Sequence, residues 1–205
     1  MLYSHRSWIV FGFHACTQQV AERLISSDIG DFRPSKNSYD WLGHGMYFWE
    51  NSLHRAEYFA KDRDIKNPKV VGASIHLGHC LDLTDSGSLS YLSVAYNTLK
   101  KVLEVAGKPL PKNKSPKSPQ SARSGGDDLL LRELDCAVIN FLHSQRAENN
   151  LKPYDSVRGV FWEGNELYPG AGFKEMNHVQ LCIRNPNCIK GYFWPRKKDD
   201  QYNFV

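Results

Sequence analysis

The sequence predicts an α+β fold in which short antiparallel strands are flanked by helices. Strand-length runs of β-branched and aromatic residues recur along the chain, which contains ten Tyr, ten Phe and five Trp. Regular helical crossovers do not separate these runs, which argues against a doubly wound parallel sheet. The length of 205 residues, of which 41% are hydrophobic, fits one domain with a buried core, spanning 1–205.

The individual elements follow from hydrophobic periodicity and from capping residues. We predict strands over 8–13, 43–49, 70–77, 157–162 and 178–184, with a new segment beginning at Leu81 and a further strand segment at 188–193 that pairs nearby. Helices are predicted over 18–27, 53–61 and 89–106, and a fourth begins at Asp128. Thr17, Ser52 and Asp128 are the expected N-caps, because short polar side chains accept bonds from free N–H groups at helix starts.

Residues 107–127 are rich in Pro, Lys and Ser and show no apolar period, so we expect a flexible basic loop or insertion. Between Lys100 and Gly126 there are seven basic residues and one acid, Glu104. Such a local field attracts polyanions. A solvated loop kept in solution by its lysines explains the same composition.

Composition also limits the protein class. No apolar run reaches the roughly 18 residues of a membrane span, and the first residues lack the apolar core of a secretory signal. The five cysteines are widely spread and form no Cys-x-x-Cys pair. We therefore expect a cytoplasmic protein without membrane contact, disulfide framework or metal. His76, His79 and Cys80 could be drawn as metal ligands, but they lack a fourth partner.

Three segments carry residues suited to chemistry. The first is Phe13-His14-Ala15-Cys16-Thr17, which places a histidine where a strand meets a helix. The second is Gly43-His44-Gly45-Met46-Tyr47-Phe48, followed by a helix that contains Arg55 and Tyr58. Its glycines allow a ligand or another backbone to approach closely. Its two tyrosines either hold a flat heterocycle between their rings or pack the core.

The third segment is the strand that begins at His178. Strand alternation places Val179, Leu181 and Ile183 on a core face, and His178, Gln180 and Cys182 on the other. That second face either lines a cleft or is solvated.

In order and spacing, these segments resemble the ADP-ribosyltransferase superfamily, closest to its diphtheria-toxin and poly(ADP-ribose) polymerase branch. His14-Ala15-Cys16 resembles the His-Gly-Thr/Ser element of that branch. The segment from Gly43 to Phe48 resembles its Gly-x-Gly-x-Tyr-Phe element. Ala56-Glu57-Tyr58 falls at the expected distance beyond it. The similarity covers residues 11–60 and, in part, 157–193.

The resemblance implies an ADP-ribosyltransferase-like split sheet around a cleft that binds NAD+, with no metal. His14 would bind an adenosine ribose hydroxyl, and the Ala15 backbone would hold the nicotinamide carboxamide. Tyr47 and Tyr58 would clasp the nicotinamide ring. The implied NAD+-binding set comprises His14, Ala15, Cys16, Gly43, His44, Gly45, Tyr47, Phe48, Arg55 and Tyr58.

The sequence departs from the family pattern at three positions. Ala15 replaces a glycine, Arg55 stands where the family often has serine, and His178 takes the place of the catalytic Glu. Gln180, Glu175 and, more weakly, Glu163 are the other candidates for that role. A carboxylate best stabilises the oxocarbenium-like centre and accepts the proton of the attacking group.

The resemblance therefore favours a mono-ADP-ribosyltransferase, in the manner of a toxin or defence effector controlled by an antitoxin. The acceptor is a protein or a nucleic acid, and the basic segment favours nucleic acid. Three alternatives remain open: an NAD+ glycohydrolase, a non-catalytic binding module, and the RNA 2′-phosphotransferase branch.

Overall fold

The computed structural model describes residues 9–26, 33–116 and 128–202. These residues form an α+β fold with a mixed seven-stranded sheet, a two-stranded sheet and four α-helices. The strands are β1 Ile9–Thr17, β2 Met46–Glu50, β3 Pro68–His76, β4 Cys80–Asp82, β5 Asn113–Lys114, β6 Leu131–Arg132, β7 Ser156–Phe161, β8 His178–Ile183 and β9 Ile189–Phe193. The helices are α1 Gln18–Ser26, α2 Leu53–Asp62, α3 Ser86–Val105 and α4 Glu133–Glu148.

The large sheet has the strand order β4-β7-β8-β2-β1-β3-β9. Every neighbouring pair is antiparallel except β4 with β7. The predicted α+β class with antiparallel strands is therefore confirmed. The strand at 189–193 lies against β3 at one edge of the sheet, far in strand order from β8, which precedes it in the chain.

Both faces of the sheet are covered. On one face, α1 packs against a core that includes Phe48, Val71 and Ile75. On the other face, α2 covers Ala15 and Trp49 with Ala56 and Ala60. Helices α3 and α4 pack against each other through a third apolar layer. Because the central strands are buried on both sides, their sequences are apolar at consecutive positions as well as at alternate ones.

Two capping predictions have different outcomes. Thr17 does cap α1, since its Oγ1 accepts a hydrogen bond from Val20 N at 3.4 Å. Ser52 occupies the N-cap position of α2, but its side chain makes no capping bond. Trp8 and Ser27, at the outer ends of predicted elements, lie outside the described residues.

The prediction that Asp128 caps the fourth helix is wrong. That helix begins at Glu133, and the Asn113 side chain caps it from another strand: Asn113 Oδ1 accepts bonds from Leu134 N at 2.9 Å and Asp135 N at 3.3 Å. Asp128 is instead buried, accepts a bond from Gly164 N at 2.7 Å and forms an ion pair with Lys174. It thereby anchors the long connection between β7 and β8.

The predicted basic loop at 107–127 is only partly described. Residues 107–116 include β5, which pairs with β6, so the first part of this segment is joined to the fold. Residues 117–127 lie outside the described residues. None of the helices in the described part of the chain is long and apolar enough to cross a membrane.

Candidate active site

The first site residue, His14, lies at a fork in the sheet. β1 pairs with β2 at Gly12 and Phe13 but continues along β3 as far as Thr17. His14 is therefore inside a strand rather than at its end, which corrects the predicted boundary. Just beyond the β1–β2 pairing, His14 Nδ1 lies 2.8 Å from the Tyr47 carbonyl oxygen.

This contact determines which ring nitrogen of His14 is available to a ligand. A carbonyl oxygen can only accept, so Nδ1 carries the proton and Nε2 keeps a lone pair. Burial lowers the pKa of His14, opposed by the bond to Tyr47. At neutral pH the side chain is a neutral acceptor, a state suited to a ribose hydroxyl.

The glycine pair before β2 supports close packing. Gly43 has a φ of +79°, which favours glycine. A Cβ on Gly45 would lie 2.5 Å from Cys182 Sγ and 2.6 Å from the Ile183 carbonyl oxygen. The sequence allows either a ligand or another backbone to approach these glycines closely. At Gly45 it is another backbone, that of Ile183.

The Tyr47 ring lies among core residues next to this turn. Its hydroxyl donates to the Gly43 carbonyl at 2.8 Å and accepts from Leu42 N at 2.9 Å. Burial raises the pKa of Tyr47. The ring packs with Leu42 and Cys182 and has no ring contact with Tyr58, both tyrosines being within the described residues. The hydroxyl of Tyr47 thus locks the glycine turn.

Tyr58 lies on α2 beside Arg55. The residue is 39% exposed, and the Arg55 guanidinium carbon lies 5.2 Å from the centre of its ring. One face of Tyr58 is therefore already covered by a cation. The predicted clasp of two tyrosines around an open pocket is not formed: of the two clearest concavities in the described chain, neither is lined by Tyr47 or Tyr58.

The structure instead brings four residues together, which we call the Glu163 cluster: Trp49, Arg55, Glu163 and His178. Arg55 and Glu163 form an ion pair, with side chains only 12% and 14% exposed. His178 Nδ1 lies 3.9 Å from Glu163 Oε2. The Trp49 and His178 ring centres are 6.5 Å apart. A carboxylate is thus present next to the position where the family resemblance places Glu.

The Glu163 cluster contains three buried polar atoms without hydrogen-bond partners in the described protein. They are Trp49 Nε1, Arg55 Nε and His178 Nε2. Buried polar groups are nearly always paired, because an unpaired one costs about 1–3 kcal/mol. Two donors and one acceptor left unpaired within one cluster are typical of a site that is completed by water or a ligand.

His178 resembles His14 in its protonation state. Its Nδ1 donates to the Met176 carbonyl at 2.7 Å, so Nε2 is an acceptor. Burial lowers the pKa of His178 to about 4, with the bond to Met176 opposing and the charge of Arg55 contributing. His178 is therefore neutral at pH 7 and can accept a hydrogen bond from a ligand hydroxyl.

The rest of this face of β8 is partly or fully buried. Gln180 Oε1 accepts a bond from Trp41 Nε1 at 2.6 Å, and Cys182 is fully buried. Burial raises the pKa of Cys182 to about 12, so it remains a thiol. Gln180 lies two residues from His178 on the same face, with its side-chain oxygen already engaged.

Other predicted residues lie farther from the cluster or contribute packing. Glu175 is exposed, and its carboxylate accepts a bond from Asn165 Nδ2 at 3.3 Å. The backbone N–H of His44 donates to Asn140 Oδ1 at 3.1 Å, which ties the glycine turn to α4. Ala15 and Cys16 are buried in β1, beyond its last pairing with β2. Phe48 is fully buried, with its ring centre 5.7 Å from that of His14.

Glu163 is the weakest of the four candidates that the sequence offers, and Trp49 is not among the predicted site residues. Glu163 follows a strand instead of lying on one, so alternation along β8 could not point to it. One signal could have identified Glu163: it follows the end of β7 by two residues, and β7 pairs with β8. Phe161, the last residue of β7, is the register partner of His178.

The suggested metal ligands are not gathered in the structure. His79 Nδ1 donates to the Pro153 carbonyl at 2.8 Å, and its ring stacks on Tyr154 with centres 4.6 Å apart. His76 Nδ1 accepts from Gly78 N at 3.2 Å. Among the described residues, no three His, Cys, Asp or Glu side chains form a group that could hold a metal ion.

Two buried histidines predict acid-sensitive folding. Burial lowers the pKa of His143 to about 3 and that of His178 to about 4. Their pKa in the unfolded chain is about 6.5, so the unfolded chain binds protons first as the pH falls. The contribution of each histidine to the free energy of unfolding is fully present above about pH 7 and is lost as the pH falls below 6.5. Each histidine then lowers the free energy of unfolding by up to about 1.4 kcal/mol per pH unit.

Urea unfolding at pH 7.5, 6.0 and 5.0 measures this slope. His143→Gln should flatten the slope over the same range, since His143 lies on α4 and is not part of the Glu163 cluster. An unchanged slope in this variant would contradict the assignment to His143.

Comparison with known proteins leaves the family undetermined. The chain is similar to an uncharacterized protein of Methanocaldococcus jannaschii, with 24% identity over an alignment that covers 89% of this chain and 85% of that protein. No protein-family model matches the chain, and no solved structure matches it. The geometry of the residues is therefore the basis for the functional proposal.

Proposed function

We propose that the protein is a mono-ADP-ribosyltransferase that cleaves NAD+ and transfers ADP-ribose to a macromolecular acceptor, with Glu163 as its catalytic carboxylate. The observation that carries the proposal is the contact of Glu163 with Arg55 and His178. It supplies a buried carboxylate beside the position at which the ADP-ribosyltransferase pattern requires one. The fork between β1 and β2, with His14 in it, supports the split sheet that this fold implies.

The reaction breaks the bond between the nicotinamide nitrogen and ribose C1′. Its electron pair leaves with nicotinamide, which becomes neutral, and positive charge develops at C1′ and the ring oxygen. A lone pair of the acceptor group then forms the new bond to C1′. The proton lost by the acceptor passes to the Glu163 carboxylate and then to solvent. The carboxylate also stabilises the developing charge electrostatically.

The two neutral histidines have separate tasks in this proposal. His14 accepts a hydrogen bond from a hydroxyl of the adenosine ribose through Nε2. His178 accepts one from the ribose that is attacked, also through Nε2. Positioned acceptors of this kind hold the substrate for attack without adding positive charge near the cationic centre.

Arg55 orients the carboxylate of Glu163 through their ion pair. Taking Arg55 away would leave a largely buried carboxylate without its ion-pair partner, a costly arrangement that would release the carboxylate from its position. A displaced Glu163 could neither stabilise the cation nor accept the proton of the acceptor. Arg55, in place of the family's serine, is therefore a positioning residue for Glu163.

Incubation with labelled NAD+ and a lysate tests the proposal directly. Label should become attached to a macromolecule, and separate nuclease and protease digestions identify its class. Release of free ADP-ribose alone, with or without acceptor, would replace the transferase with an NAD+ glycohydrolase. Binding of NAD+ without nicotinamide release would replace it with a binding module, and no binding at all would overturn the assigned site.

His14→Ala should lower nicotinamide release at least about 100-fold, because the variant loses the acceptor that orients the substrate. The variant should remain folded, since the ring is on a half-buried position at the fork of the sheet. His54→Ala is the matched control, because His54 is an exposed histidine on α2. Equal release by wild type and a folded His14→Ala variant would remove His14 from the site.

A further inference from the structure

A cavity of the described chain lies next to the Glu163 cluster and is not used by the proposed NAD+ chemistry. It has a volume of about 530 Å³ and opens between α3, α4 and β7. Its walls include Trp41, Leu92, Tyr96, Arg132, Val160 and Trp162. A cavity of this size and apolar character is typical of a site for a small, flat ligand group.

Arg132 lies flat against aromatic rings at the edge of this cavity. Its guanidinium carbon is 4.7 Å from the Phe161 ring centre and 6.0 Å from that of Trp41. Bonds to the Leu129 carbonyl at 2.6 Å and to Asp135 at 3.3 Å hold it there. A planar cation fixed beside indole and phenyl rings is a surface on which nucleobases stack.

Strand pairing brings further basic residues close to Arg132. Arg132 is on β6, whose partner strand β5 holds Lys114, and Lys112 precedes that strand with its side chain exposed. Lys114 is ion-paired with Glu133 at 2.9 Å and Arg132 with Asp135 at 3.3 Å, so the exposed Lys112 supplies the net positive charge at this edge. An aromatic pocket with a cation beside it suits a base together with its phosphate.

Two contacts connect the cavity to the candidate active site. Trp41 lines the cavity and donates to Gln180 on β8. Phe161, which lies under Arg132, stacks on the His178 ring with centres 5.5 Å apart. The cavity and the Glu163 cluster are thus separated by a single layer of rings, so a group bound in one is near the other.

We propose that this cavity binds a nucleobase of a single-stranded nucleic acid. That this strand is the acceptor of ADP-ribose rests on the proposed function. Single-stranded nucleic acid fits better than a duplex because bases in a duplex are stacked on each other and cannot enter a pocket without leaving the stack.

Fluorescence anisotropy measures the binding of a fluorescein-labelled single-stranded oligonucleotide. Measured without NAD+, this binding tests the inference separately from the catalytic proposal. Trp162→Ala should weaken binding about tenfold, the typical effect of losing one stacking contact. Trp194→Ala is the matched control, since Trp162 and Trp194 are 50% and 44% exposed and Trp194 lies at a different concavity. Arg132→Gln, checked by its melting temperature, should weaken binding and reduce its salt dependence.

The outcomes separate the two proposals. Oligonucleotide binding that Trp162→Ala weakens and Trp194→Ala does not supports the cavity, even if wild type releases no nicotinamide. Absence of binding at low salt, equal effects of both Trp variants, or equal affinity for duplex would each overturn the nucleobase site. ADP-ribosylation of lysate protein with no labelled nucleic acid would overturn the acceptor role.

Discussion

Glu163→Gln is expected to reduce nicotinamide release about 100- to 1000-fold, the effect typical of removing one group that stabilises transition-state charge. Gln keeps the shape of Glu and can still accept a hydrogen bond from Arg55, but it carries no negative charge. It can therefore neither stabilise the cation at C1′ nor accept the proton of the acceptor. Nicotinamide release from NAD+ at fixed pH measures the change directly.

Glu175→Gln is the matched control for this experiment. Glu175 belongs to the same connection between β7 and β8, and it is exposed. Its carboxylate accepts a hydrogen bond from the Asn165 side chain. We expect activity close to that of wild type. If Glu175→Gln is the inactive variant and Glu163→Gln is active, the carboxylate has been assigned to the wrong residue.

A purely structural role for the Arg55–Glu163 ion pair predicts a different result. Both side chains are largely buried, and breaking a buried pair is strongly destabilising. If Glu163→Gln lowered the free energy of unfolding and left the turnover of the remaining folded protein unchanged, the pair would be a structural element. Loss of turnover at an unchanged melting temperature supports catalysis.

Gly45→Ala is expected to destabilise the protein by about 3 kcal/mol, at the upper end for an inserted methyl group in a packed core. The new Cβ would lie 2.5 Å from Cys182 Sγ and 2.6 Å from the Ile183 carbonyl oxygen. The carbonyl belongs to the backbone of a central strand, so the clash cannot be relieved by rotating one side chain. Urea unfolding of the variant measures the loss.

Gly191→Ala is the control, because a Cβ there meets nothing within 4 Å. It should leave the free energy of unfolding within about 0.5 kcal/mol of the wild-type value, as is usual for surface substitutions. If Gly45→Ala were as stable as wild type but failed to bind NAD+, Gly45 would face a ligand and the packing explanation would be wrong.

Predictions from the sequence agree with the structure where a feature depends on residues only a few positions apart in the chain. Helix α3 was predicted almost to its ends because Leu92, Leu99 and Leu103 repeat at helical spacing within one segment. Thr17 was recognised as a cap for the same reason, since its acceptor and the N–H it satisfies are three residues apart. Such local signals need no knowledge of distant partners.

The cap of α4 shows where local signals fail. Asp128 was the natural candidate because it precedes an apolar helical pattern, yet the cap is Asn113, on a strand about twenty residues away in the chain. The pairing of β5 with β6 is what brings Asn113 to the helix start. Asp128 instead binds Gly164 and Lys174, two residues that are distant from it in the sequence.

Residue patterns alone were enough to predict the α+β class, the approximate elements and the two histidines that we propose as ligand acceptors. They also indicated a missing carboxylate on β8. Which acid lies nearby depends on packing, because the register of β7 with β8 and the position of α2 bring Glu163 to Arg55 and His178. Periodicity encodes which face of an element is apolar, but contacts between residues more than a hundred positions apart depend on how whole strands and helices pack.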